Sequence, residues 1–108
     1  MINRWEILLE KGQTYYELEN YEKASSTFEK VLKEKPDFVP ALKLLADCQQ
    51  KTGKQQEAIS NLEKIIELSP EDAAALNSLG SLLLANGNTS RAIDIYEKAI
   101  ELAPDSKE

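Results

Sequence analysis

The side chains best equipped for catalysis are almost missing from this chain. It has no histidine, so it lacks the commonest general base and the commonest transition-metal ligand together. Cys48 is the single cysteine and has no partner for an internal disulfide or a multi-thiolate metal site. With no imidazole in any register to activate its thiol, Cys48 reads as a small buried hydrophobe rather than a nucleophile. The paired carboxylates Glu71-Asp72 follow Pro70 where a helix begins, and capping accounts for them. Gly53-Lys54 and Gly87-Asn88 lack the glycine run of a phosphate loop and read as turns between helices. Tyr15, Tyr16 and Tyr21 have no interleaved basic residues of the kind that accompany base stacking. No constellation supports an enzyme, and no metal or cofactor is expected.

Composition narrows the field further. A length of 108 residues with 42% apolar and 30% charged side chains supplies one core and little more. The net charge of −6 argues against nucleic acid and anionic membrane as partners, because basic surface supplies affinity for both. No apolar run approaches the roughly 20 residues that span a bilayer, so membrane insertion is not expected. The start, Met1-Ile2-Asn3-Arg4-Trp5-Glu6, has no apolar stretch or cleavage site of a signal peptide, and a cytoplasmic location is expected.

The elements that carry these residues are set by a period. Pro36, Pro70 and Pro104 recur every 34 residues, as do Ala24, Ala58 and Ala92, and Leu8, Leu42 and Leu76. Phe28, Leu62 and Tyr96 form another series, each followed by Glu-Lys. The chain is therefore expected to be a single domain over 1–108 built from three tandem repeats, 5–38, 39–72 and 73–106. Within the second repeat, Leu42, Leu45, Ala46 and Gln49 form an i, i+3, i+4, i+7 stripe that stops at Gly53. A second stripe, Ala58, Ile59, Leu62, Ile65, Ile66, stops at Ser69-Pro70. The pattern predicts helices over about 5–18, 22–35, 39–52, 56–69, 73–86 and 90–103, with ends uncertain by ~2–4 residues. Gly53 and Gly87 are expected to close their helices in the left-handed conformation, and Asn20 to do so in the first repeat. Pro40 falls in the first turn of its helix, and Asp72 and Asp105 fall where a cap belongs. Small residues at Gly12, Ala46 and Gly80 and at Ala24, Ala58 and Ala92 are expected to let paired helix backbones approach. Large ones at Phe28, Leu62 and Tyr96 are expected to fill the space between pairs.

These columns resemble the tetratricopeptide repeat. Repeat three matches with Leu76, Leu79, Gly80, Ala92, Tyr96, Ala99 and Pro104, with Leu83 where the family has Tyr. Repeat one matches with Leu8, Gly12, Tyr15, Ala24, Phe28 and Pro36, with Lys11 in place of Leu. Repeat two matches with Leu42, Leu45, Ala46, Ala58, Leu62 and Pro70, with Gln49 and Ile65 as departures. Pentatricopeptide repeats run to 35 residues and bind RNA, for which the charge is wrong. Ankyrin repeats need a Thr-Pro-Leu-His segment, and there is no histidine. The resemblance implies an all-α fold: a right-handed α-solenoid of three helix-turn-helix repeats with six antiparallel helices. The copies differ too much for strict consensus design, so a natural or natural-like sequence is the better reading.

The resemblance also implies a function, binding a protein or peptide in the concave groove lined by the first helix of each repeat, as a scaffold or adaptor. The family's groove positions fall on Glu6, Leu9, Glu10, Gln13, Tyr16 and Glu17 in repeat one. In repeat two they fall on Pro40, Lys43, Leu44, Asp47, Gln50 and Lys51. Ala74, Asn77, Ser78, Ser81, Leu84 and Ala85 carry them in repeat three. The set runs from acidic through mixed to uncharged, and suits a peptide with basic or polar residues beside repeat one and apolar ones beside repeat three. An ordinary solvated face for Glu6, Glu10 and Glu17 is the competing reading. In chaperone adaptors of the family a peptide carboxylate is clamped by Lys, Asn and Arg; the matching positions here are Leu9, Gln13, Leu44, Ala74 and Ser78. None is cationic, so no carboxylate-clamp binding to chaperone tails is expected. Trp5 begins the first helix and reads as an end-capping hydrophobe. Tyr96, Ala99, Ile100 and Ala103 form an apolar strip on the last helix, ahead of Asp105-Ser106-Lys107-Glu108. An uncovered strip there has two expected explanations, an excised part of a longer array or a homo-oligomer that pairs through this C-terminal end.

Overall fold

Wherever an apolar stripe gives way to a turn former, a helix stops. The computed structural model describes residues 1–104, and among them are six helices and no strand. They are α1 (Arg4–Glu17), α2 (Tyr21–Glu34), α3 (Val39–Lys51), α4 (Gln55–Leu68), α5 (Ala73–Ala85) and α6 (Thr89–Leu102). Each end lies within one residue of its expected place. The expected cap Asp105 and the last positions of repeat three lie outside the described residues.

The turn within each repeat is built the same way three times. After α3, Gly53 N–H donates to the Gln50 carbonyl and Lys54 N–H to the Gln49 carbonyl; after α5, Gly87 and Asn88 donate to Leu84 and Leu83. This paired closure needs one residue in the left-handed region, and Gly53 (φ 78°) and Gly87 (φ 81°) take it without a Cβ penalty. In the first repeat the residue so placed is Glu19 (φ 60°), which corrects the expectation for Asn20. The reason is register: Glu19 occupies the glycine column, and its N–H and that of Asn20 donate to the carbonyls of Tyr16 and Tyr15. Asn20 instead caps α2, its side chain accepting from Lys23 N–H. Asp72 caps α5 in the same way through Ala75 N–H, at 3.0 Å. Pro40 sits in the first turn of α3, where the N–H it lacks has no partner to lose.

Two compact units are described in turn, Met1–Asn61 and the chain from Leu62 onward. In the first, α1 packs on α2 and α2 on α3. Ala24, Phe28, Leu45 and Cys48 are its buried centre, with Tyr15, Tyr16, Tyr21 and Leu32 packed around them. Gly12 is small because the Phe28 ring lies on it: a Cβ there would stand 2.5 Å from Cε1 and 2.8 Å from Cδ1. The small residue thus admits an aromatic side chain, rather than only bringing two backbones together. Gln49, a departure from the family pattern, is buried and accepts a hydrogen bond from Asn61 Nδ2 at 2.8 Å, so its amide oxygen is not stranded in the core. Lys11, another departure, stays exposed with its ammonium 5.9 Å from the Tyr15 ring centre. Trp5 meets Phe38 edge to face at 5.1 Å and has Lys35 over its ring.

In the second unit α5 packs on α6. Leu76, Leu79 and Leu83 of α5 and Ala92, Ile95 and Ala99 of α6 are buried. Gly80 repeats the arrangement of Gly12, with a would-be Cβ 2.7 Å from Tyr96 Cε1. The Tyr96 hydroxyl reaches Ser81 Oγ at 3.2 Å, so the ring packs while its polar end stays satisfied.

Candidate functional site

The first helix of a repeat buries one side against its partner and leaves another open, and the expected groove residues fall mainly on the open side. On α1, Glu10, Gln13 and Glu17 are exposed, while Leu9 and Tyr16 are half-buried against the core. On α3, Lys43 is exposed, and Leu44, Asp47 and Gln50 are half-buried. On α5, Asn77, Ser81 and Leu84 are exposed and Ser78 is half-buried. Glu6 differs from its groove neighbours because its carboxylate accepts the Asn3 N–H at 2.9 Å and so closes the start of α1.

Five of these residues line one concavity in the first unit. Glu10, Gln13, Tyr16 and Glu17 of α1 and Leu44 of α3, with Thr14, enclose about 530 Å³. Leu9, Lys43, Asp47 and Gln50 do not line it. Thr14 was not anticipated: its hydroxyl donates to the Glu10 carbonyl, as threonines in helices commonly do, and sequence offers no signal for its place in the wall.

The wall is fixed by a polar chain linking two first helices. The Tyr16 hydroxyl donates to the Asp47 carboxylate, and Asp47 holds Lys51 one turn later at 3.4 Å. Lys51 also lies over the rings of Tyr16 and Tyr21, which meet edge to face at 5.5 Å. The hydrogen bond to Asp47 is the main cause that holds the Tyr16 phenol above the ordinary tyrosine range; burial and the Asp47 charge add to it. The same carboxylate holds the Lys51 ammonium above the ordinary lysine range. A raised phenol pKa means that the fold favours the protonated phenol. Its stabilising contribution is complete below the unfolded value of about 10 and is lost as pH rises through the raised one. Tyr16→Phe should therefore cost stability at pH 8, and its deficit relative to wild type should shrink in urea titrations as pH rises beyond the ordinary tyrosine value of about 10. A deficit that is constant with pH would overturn the assignment.

The Cys48 thiol is fully buried, and desolvation pushes its pKa up, so it stays a protonated packing group. Among the described residues, no group of three or more His, Cys, Asp or Glu is arranged to hold a metal ion, and no helix is long and apolar enough to cross a membrane.

The second unit has two concavities of its own. Ala73, Ala74 and Asn77 of α5 meet the strip Tyr96, Ala99, Ile100 and Ala103 around about 440 Å³. Within that strip Ile100 is 73% exposed, Ala103 is exposed and Tyr96 is half-buried. Ala99 departs from the expected open strip, for it is buried on α6. A larger cleft of about 610 Å³ lies between the end of α4 and α6, floored by Ile66, Pro70, Leu76 and Leu79 and bridged by Arg91 to Glu63 at 2.5 Å. Sequence reasoning missed it. Its signals were Ile66 at the end of the α4 stripe, Leu102 near the end of α6, and the opposite charges of Glu63 and Arg91.

The family model described as Tetratricopeptide repeat matches residues 49–107, more than half of the chain. The chain belongs to the tetratricopeptide repeat family. A second model, Anaphase-promoting complex, cyclosome, subunit 3, matches residues 5–65 of this TPR chain. Among solved structures, a crystal structure of MamA is similar at 28% identity and a TM-score of 0.88, over 94% of this chain and 60% of that one. MamA from Desulfovibrio magneticus RS-1 is similar at 22% identity and a TM-score of 0.85, over 93% of this chain and 56% of that one. The TPR chain thus spans little more than half the length of these MamA chains. The first TPR of Spaghetti (RPAP3), bound to the HSP90 peptide SRMEEVD, is similar at 22% identity and a TM-score of 0.85, over 95% of this chain and 82% of that one. A comparison with curated protein sequences gives no significant match. Together these findings support an all-α helical-repeat fold.

Proposed function

We propose that this TPR module binds an exposed peptide segment of a partner protein along its first helices, and serves as a scaffold or adaptor rather than as a catalyst. The observation that carries the reading is the concavity in which Glu10, Gln13, Tyr16, Glu17 and Leu44 meet. It combines an apolar wall, amide hydrogen-bonding capacity and carboxylates on a wall already braced by Tyr16 and Asp47, and a pre-ordered surface binds with less entropy loss. Basic or polar residues of the partner belong beside repeat one, and apolar ones beside Ala74, Asn77 and Leu84 of repeat three. The peptide-bound Spaghetti domain shares the fold and so agrees with a peptide ligand. A free C-terminal carboxylate is not the expected ligand, because Leu9, Gln13, Leu44, Ala74 and Ser78 offer it no cation.

A second reading, self-association through Tyr96, Ala99, Ile100 and Ala103, is favoured by the exposure of Ile100, since its counterpart Ile66 one repeat earlier is half-buried. One experiment addresses both. A photo-crosslinking residue is placed at Gln13 or at Ile100, and the adducts are identified by mass spectrometry. Groove binding predicts a partner peptide at Gln13 that disappears in the Leu44→Lys variant. Self-association predicts this chain's own peptides at Ile100. No adduct at Gln13 that responds to Leu44→Lys would sink the groove reading.

A further inference from the structure

Resting on the groove reading, we infer that the concavity on α1 selects a partner segment in the polyproline II conformation with two basic residues three positions apart. Its lining contains two carboxylates, Glu10 and Glu17, and no cationic side chain. Of the cations on α3, Lys51 is held by Asp47 and lies over Tyr16, and Lys43 does not line the concavity. Both carboxylates are exposed, so they reach a ligand without losing an internal role.

Their spacing decides the shape of the ligand. Glu10 and Glu17 are seven residues apart on one helix, which sets their backbone positions about 10 Å apart along the axis at 1.5 Å per residue. A β-strand presents same-face residues about 7 and 13 Å apart, missing that distance on either side. A polyproline II helix repeats every three residues with 3.1 Å rise, so residues i and i+3 share a face about 9 Å apart. An α-helix matches only with residues seven apart, and its backbone groups are already paired. Gln13 lies between the two carboxylates and offers both a donor and an acceptor. A polyproline II backbone keeps its carbonyls and any N–H groups open to such a side chain, whereas an α-helix does not. The aliphatic stems of the two basic residues then cover Leu44 and the Tyr16 ring while their charged ends remain in water. The inferred ligand is therefore a Lys/Arg-x-x-Lys/Arg segment rich in proline.

The test uses the full chain and fluorescent proline-rich peptides read by anisotropy. One peptide carries two lysines three apart, a second carries them two apart, and a third carries glutamates three apart. The three-apart lysine peptide should bind at least about threefold tighter than the two-apart one, an advantage of the size expected for one exposed ion pair. It should weaken as salt rises from 0.05 to 0.5 M, and Glu10→Gln with Glu17→Gln should remove the advantage. Equal binding of the two lysine peptides, or an advantage that survives the double substitution, overturns the inference. Failure of the wider reading looks different: lysine peptides would bind unchanged to both Leu44→Lys and Gln13→Ala. Gln13 is exposed, so its variant keeps the test valid if Leu44→Lys does not fold. If spacing has no effect while Gln13→Ala still weakens binding, the basic pair falls and the groove stands.

Discussion

Phe28→Ala should destabilise the protein by about 3–5 kcal/mol, a large share of the roughly 5–15 kcal/mol that holds a domain folded. The ring is fully buried, with Ala24, Leu45 and Cys48 at its side and Gly12 beneath it. Leu45 and Cys48 belong to α3, so the ring ties the first helix pair to the next helix. The surroundings cannot collapse into the space, because each neighbour is held by a helix that also packs elsewhere. The cost therefore includes a cavity as well as lost burial. Urea unfolding followed by circular dichroism measures it, and a loss below about 1 kcal/mol would show that the site relaxes freely.

Gly12→Ala should be the second-largest effect, and its sign should depend on Phe28. In an open helix the change gains up to about 1 kcal/mol, because alanine orders the backbone at lower entropic cost. Here the new methyl meets Cε1 and Cδ1 of a fully buried ring, at 2.5 Å and 2.8 Å. Overpacking of this kind costs about 1–3 kcal/mol, so the net effect is destabilising. In a Phe28→Leu background the clash is gone, and Gly12→Ala should become neutral or stabilising. The sequence already holds that combination, Ala46 and Leu62, in the same two columns of the second repeat. A double-mutant cycle should give a coupling of about 1–3 kcal/mol, and additive effects would refute the contact.

Helices and caps were legible because local chemistry settles them. Pro40, Gly53, Asp72 and Gly87 each act within a turn of their own position, and every helix end fell within one residue of expectation. The left-handed residue of the first turn was misread because asparagine's preference was set above the column. Three copies of one turn share a geometry, so position outranks residue type, and Glu19 follows Gly53 and Gly87. Five of the six residues lining the concavity of the first unit stand at positions that the family resemblance implied. Its bracing was not legible: Tyr16 and Asp47 are 31 residues apart, and only packing of α1, α2 and α3 brings them together. The 610 Å³ cleft was hidden for a similar reason, since Glu63 and Arg91 are 28 residues apart and meet only once α4 and α6 are packed.

Glu19 has a consequence that reaches beyond the fold. A side chain in the left-handed region carries a penalty of about 1 kcal/mol that glycine does not. Glutamate and glycine codons differ by one base, so a stabilising variant is a single mutational step away. The first repeat therefore holds a reserve of robustness in its genetic neighbourhood, open to selection if another substitution erodes the core.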